Sequence, residues 1–170
     1  QISEAIPIGF AFPFYGQTYD SVRVCTNGFL TFLGINPLYD NKPLPNTSAP
    51  PALVAPFWDD LKFQPGFGAT YARDADTFTV QFTHVLPYSG TGSFTFQATL
   101  YRSGEIVYRY QSMDGSVGSA TIGIQDASET MGLQIAFNSL YVQEGMAIRI
   151  YNIPQWLQAT PTSGRLRAGE

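Results

Sequence analysis

Between residues 77 and 110 apolar and polar side chains alternate with a period of two, and the alternation restarts after each turn signal. Phe78, Val80, Phe82 and His84 stand against Thr77, Thr79, Gln81 and Thr83. After a Ser- and Gly-rich turn over 87–92, Phe94, Phe96, Ala98 and Leu100 stand against Thr95, Gln97, Thr99 and Tyr101. Ser103-Gly104 marks a tight turn, beyond which Ile106, Tyr108 and Tyr110 oppose Glu105, Val107 and Arg109. A period of two places each set on its own face of a strand, so this stretch predicts three strands in an antiparallel meander. Shorter runs of the same kind cover residues 22–25, 28–33, 52–58, 69–73, 120–125, 133–137 and 146–151. No window longer than about ten residues keeps apolar positions at i, i+3, i+4 and i+7 without a Gly or Pro, so no substantial helix is expected. With no helices to cover them the sheets must pack on each other. About ten short strands with turn-marked spacing predict an all-β fold, an antiparallel β-sandwich.

Composition agrees and removes several function classes. Charged residues make up 13% of the 170-residue chain and apolar ones 44%, enough for one domain with its own core and against disorder. The net charge is −4, with two lysines and seven scattered arginines, so no basic stripe is present to bind nucleic acid. No apolar stretch reaches the roughly 18 residues of a membrane-spanning helix. The opening at Gln1 reads as that of a processed or trimmed chain whose leader has been removed. Residues 36–51 hold five prolines and three asparagines and read as a long Pro-rich surface loop, either a stiffened crossover between sheets or a ligand loop. Composition changes again at the end, so the domain is placed at residues 1–152. Residues 153–170 read as a linker, the start of a following sandwich module, or an extended assembly tail in which Trp156, Leu157 and Leu166 must be docked.

Few residues offer chemistry. His84 is the single histidine and stands in phase with Phe78, Val80 and Phe82, which predicts a core-facing structural histidine rather than a general base. Cys25, the single cysteine, allows no internal disulfide, shares the face of Arg23 and reads as a structural thiol. No transition-metal site is expected from one His and one Cys. Asp59-Asp60 is the most prominent acidic pair. If Trp58 closes its strand, the two carboxylates serve to accept backbone N–H bonds in a turn, a reading preferred to Ca²⁺ binding because a calcium cage needs six to eight oxygens. Asp74-Ala75-Asp76 and Asp114-Gly115 read as hairpin turns. Phe10, Phe12, Phe14, Phe29, Phe78, Phe82, Phe94 and Phe96 are expected in the core. Tyr15, Tyr19, Tyr39, Tyr88, Tyr101 and Tyr141 lie on loops or the polar phase and leave open a surface platform for sugars or for a protein partner.

Three segments carry a resemblance. They are Ile8-Gly9-Phe10-Ala11-Phe12-Pro13-Phe14-Tyr15-Gly16, Val24-Cys25-Thr26-Asn27-Gly28-Phe29-Leu30-Thr31-Phe32 and Val54-Ala55-Pro56-Phe57-Trp58-Asp59-Asp60-Leu61. With Phe94-Thr95-Phe96-Gln97-Ala98-Thr99-Leu100-Tyr101 and Gly104-Glu105-Ile106-Val107-Tyr108, they resemble the nidogen-like extracellular domain over residues 8–150. That family occurs in nidogen, in plexin-domain-containing surface proteins and in large secreted bacterial proteins. The resemblance implies a structural motif at Asn27, Gly28, Trp58, Asp59 and Asp60, an extracellular or cell-surface location, no cofactor and no catalytic activity. Animal relatives use disulfides, and the lone Cys25 points instead to the bacterial or archaeal branch. The function expected on this basis is that of a non-catalytic structural or adhesion module of a microbial surface protein or self-assembling fibre, with other modules or copies of itself as partners. The alternative is a lectin-like accessory module that holds a secreted enzyme on polysaccharide; a hydrolase is the weakest reading. Trp156-Leu157-Gln158-Ala159-Thr160-Pro161-Thr162-Ser163-Gly164 is similar to the first strand of immunoglobulin-like modules that follow such domains.

Overall fold

A computed structural model describes residues 1–151 as twelve strands in two six-stranded antiparallel sheets, with no helix among the described residues. The strands are β1 (Ile6–Phe14), β2 (Gln17–Cys25), β3 (Phe29–Thr31), β4 (Leu53–Trp58), β5 (Leu61–Lys62), β6 (Gly68–Arg73), β7 (Thr77–Pro87), β8 (Gly92–Tyr101), β9 (Ile106–Gly115), β10 (Thr121–Gln125), β11 (Gly132–Phe137) and β12 (Ala147–Ile150). Sheet I runs β1-β2-β3-β4-β10-β11 and sheet II runs β12-β9-β8-β7-β5; β6 also lies along β7, beyond β5. The β-sandwich read from the alternation is the fold of the molecule. The meander is β7-β8-β9, with Thr77 opposite Tyr101 and Leu100 opposite Ile106 and one register shift in each pairing.

The two inner faces supply one aromatic core. Phe12, Phe57, Phe78, Phe82, Phe94, Phe96, Tyr108 and Tyr110 are buried in it, and the Phe82 and Phe96 rings stack at 4.6 Å. Two tyrosines tie the sheets together: on β9, Tyr108 donates its hydroxyl to the Gly123 carbonyl of β10 at 2.9 Å, and Tyr110 to the Pro56 carbonyl of β4 at 2.7 Å. Burial without compensating charge pushes both phenols far above their ordinary range, so they stay neutral donors.

Strand β1 was not among the sequence-read strands, because Pro7, Gly9 and Pro13 interrupt its pattern. It nonetheless runs over nine residues with Ile8, Phe10, Phe12 and Phe14 buried, interrupted by an irregularity between Pro7 and Phe12 where Gly9 has φ of +100°. Proline is tolerated there because β1 is the edge of sheet I, where a missing N–H leaves no ladder bond unmade.

The Pro-rich segment is not a crossover between sheets. It connects β3 to β4, neighbours in sheet I, and lies as a strap on that sheet's outer face. Beneath it a second cluster forms from Cys25, Phe29, Leu44, Ala49, Leu53, Ala55 and Trp58. This burial on both sides explains why all six residues of β4 are inaccessible. The strap has few backbone ladder partners, so side chains of the sheet bond its backbone. Gln134 Oε1 accepts from Leu44 N at 2.9 Å, and Gln125 Oε1 accepts from Asn46 N at 2.8 Å while its Nε2 donates to the carbonyls of Asn46 and Pro50. Thr121 donates to the Lys42 carbonyl, and Asn41 Nδ2 reaches Ser119 O, Thr121 Oγ1 and Asn138 Oδ1.

Two further expectations are corrected. His84 is exposed, not core-facing, because a bulge puts Thr83 and His84 opposite the single residue Thr95 and reverses the phase, so that Val85 takes the buried position. Asp114-Gly115 is not a turn but the end of β9, with Asp114 opposite Ser93. Asp74-Ala75-Asp76 does form a turn, its Asp74 carboxylate accepting the N–H groups of Asp76 and Thr77 at 2.8 and 2.7 Å.

Candidate functional site

Between β4 and β5 the chain leaves sheet I and enters sheet II, with only Asp59 and Asp60 to make the corner. The turn that joins β2 to β3 supports this corner from below. Asp59 N donates to the Asn27 carbonyl, Phe57 N to the Gly28 carbonyl, and Leu61 N to Asn27 Oδ1 at 3.1 Å. The other end of the same amide, Asn27 Nδ2, donates to the strap carbonyls of Pro37 and Leu38, both at 3.2 Å, and Trp58 Nε1 joins it on Leu38 at 3.0 Å. Gly28 has φ of +76°, and a Cβ there would fall on the Phe57 carbonyl oxygen. Asn27, Gly28, Trp58, Asp59 and Asp60, distant in sequence, therefore meet at one corner.

The two carboxylates of the corner differ. Asp59 is occupied: Oδ1 accepts from Asp60 N at 2.8 Å and Oδ2 from Ser119 Oγ at 2.6 Å. No donor among the described residues reaches the Asp60 carboxylate. Burial, then the charge of Asp59, raise its pKa, against a smaller lowering by Lys62. Among the described residues no three His, Cys, Asp or Glu side chains come together.

Asp60 opens onto a cleft of about 400 Å³ whose walls include Asn27, Tyr39, Lys62, Phe63 and Tyr88. Three separate segments deliver its aromatic rings: the strap brings Tyr39, the end of β5 brings Phe63, and the β7–β8 turn brings Tyr88. Tyr39 is 63% exposed and Tyr88 62%, so both rings present open surface at the cleft. Both are anchored through the backbone. Tyr88 N donates to the Asp60 carbonyl at 2.8 Å, and Lys62 Nζ donates to the Tyr88 carbonyl at 2.8 Å while lying 5.4 Å from the centre of its ring. Tyr39 follows directly on the two carbonyls that Asn27 and Trp58 hold. Phe63 also lines a second, more apolar cleft of about 300 Å³ that runs between β2 and β6 past Val24, Ala69 and Tyr71. Tyr39 and Tyr88 were legible as exposed rings, whereas Lys62 and Phe63 carried no signal, since only the corner brings them beside the strap.

The remaining sequence candidates lie elsewhere. Cys25 is wholly buried beneath the strap on the face of Arg23, and burial pushes its thiol up. His84 Nδ1 is 3.1 Å from Ser93 Oγ, and its ring packs edge-on against Phe67. Among the described residues no carboxylate is hydrogen-bonded to that imidazole. Trp156, Leu157 and Leu166 of the tail lie outside the described residues.

No solved structure matches this chain. A family model described as NIDO related matches residues 1–164, nearly the whole chain and all five residues of the corner. The chain belongs to the nidogen-related family.

Proposed function

We propose that this domain is a non-catalytic extracellular module that works through its surface, as a structural or adhesive unit of a microbial surface protein or fibre. The observation that carries this reading is the use made of the family motif. Asn27, Gly28, Trp58 and Asp59 direct their polar groups inward, where they hold the sheet-switching corner and the strap, rather than toward a substrate. A hydrolytic role for the Ser93–His84 pair has less support, because no carboxylate among the described residues orients the imidazole as a third catalytic group would. Membership in the nidogen-related family supports an extracellular location. No helix among the described residues is long and apolar enough to cross a membrane.

Sedimentation of the full chain, with and without residues 153–170, tests the assembly side of the reading. Polymer lost on deletion supports a fibre; monomer in both supports a module linked within one chain. Incubation with ester, peptide and glycan substrates tests the catalytic side. Turnover that disappears in His84→Ala, with an unchanged melting temperature, overturns it.

A further inference from the structure

We infer that the cleft at the corner is a carbohydrate-binding site that takes a neutral polysaccharide chain, an inference that deepens the adhesive reading above and rests on it. Its walls combine anchored, exposed rings with a carboxylate that no donor among the described residues satisfies. That is what a sugar requires: apolar C–H faces to lie on rings, and hydroxyl donors for an acceptor held ready.

The same observations weigh against other occupants. Two tyrosines and a carboxylate also suit an organic cation, but the Lys62 ammonium already lies over the Tyr88 ring, 5.4 Å from its centre, and lines the same cleft as Asp60. A peptide adding itself as a strand needs free backbone groups at a sheet edge. Here β5 is two residues long, and Asn27 Oδ1 has taken the N–H of Leu61. An acidic polysaccharide meets Asp60 in the cleft and a chain of net charge −4. The ligand is an extended chain rather than a single sugar because Phe63 lines both this cleft and the adjoining one beside β6, where Tyr71 is 53% exposed.

The test is affinity electrophoresis of the full chain through gels containing soluble β-glucan, xylan, mannan or starch, with polygalacturonate and gelatin as controls. Retardation by at least one neutral polysaccharide is expected, weakened at least about fivefold in Tyr39→Ala and in Tyr88→Ala. Asp60→Asn is expected to weaken binding while leaving the melting temperature equal or higher, which separates loss of a contact from loss of fold. Tyr39→Phe and Tyr88→Phe should retain most of the binding, since the ring is kept. The inference is overturned by no retardation in any neutral gel, by retardation only in polygalacturonate or gelatin, or by unchanged binding in the Tyr39→Ala, Tyr88→Ala double variant. Release of reducing ends from a bound polysaccharide would leave the cleft standing and overturn the non-catalytic reading; absence of binding without turnover does the reverse.

Discussion

Gly28 and Asn27 show how much one position can decide. At φ of +76° a side chain is strained, and a Cβ at residue 28 meets the Phe57 carbonyl of the buried strand β4. Gly28→Ala should therefore cost about 2–4 kcal/mol, left-handed strain plus overpacking, read as a fall in the urea midpoint at unchanged slope. A cost below about 1 kcal/mol would mean that the corner relaxes freely. Asn27 has all of its amide committed, oxygen to Leu61 N and nitrogen to two strap carbonyls. Cys25 presents the opposite case, a reactive residue made inert by position. Its thiol is fully buried and its pKa is raised, so a thiol reagent should modify it only at the rate of unfolding. Fast stoichiometric labelling in native buffer would contradict the packing of the strap.

At the scale of elements, the strap behaves as a covering layer that the sheet holds by side-chain amides. Gln125 is the largest single support, with three hydrogen bonds made from a fully buried position. Gln125→Ala should cost about 2–4 kcal/mol, because the Asn46 N–H and two carbonyls lose their partner under cover. It should also open the strap locally: chymotrypsin, which should leave the wild-type backbone intact at Leu38 and Tyr39, is expected to cut there in the variant. Equal resistance of the two proteins would show that apolar packing alone holds the strap. Sequence revealed the segment as long, ordered by proline and non-strand, but it could not reveal which surface it covers. The partners Gln125 and Gln134 are polar residues 79 and 90 positions away, and nothing local distinguishes them from solvent-facing glutamines. His84 illustrates the same limit within one strand. Period-two reasoning holds from Phe78 to Phe82 and then fails, because the extra residue of the bulge is inserted without any Gly or Pro to mark it.

For the whole molecule, ionisation sets an acid limit. Burial raises the Asp126 carboxyl, but the Ser128 hydroxyl and the N–H groups of Met131, Ser128 and Thr130 together hold it below the ordinary carboxylate value. Arg149 does the same to Glu105, and the turn N–H groups to Asp74. Each of these acids binds its proton at higher pH in the unfolded chain than in the folded one. Their stabilisation is thus fully present above pH of about 5 and is lost as pH falls through the unfolded and then the lowered folded values. Asp60 has the opposite sign, since its raised pKa relieves a penalty on protonation, but it stands alone against three. The urea midpoint should stay nearly level from neutrality to about pH 5 and then fall; a midpoint that rises between about pH 5 and 3 would contradict these assignments. The sequence by itself determined the class of fold and, where no bulge interrupts a strand, the inward-facing residues, because the two-residue period is a local property that survives any arrangement of the sheets. It also carried the resemblance to the family. Tertiary structure alone decided which groups the corner holds and where the cleft lies: Asp60, Tyr39, Phe63 and Tyr88 come to line one cleft only when the chain changes sheet at Asp59-Asp60 and the strap folds back over β4. Such contacts across the fold leave no periodic trace in the sequence.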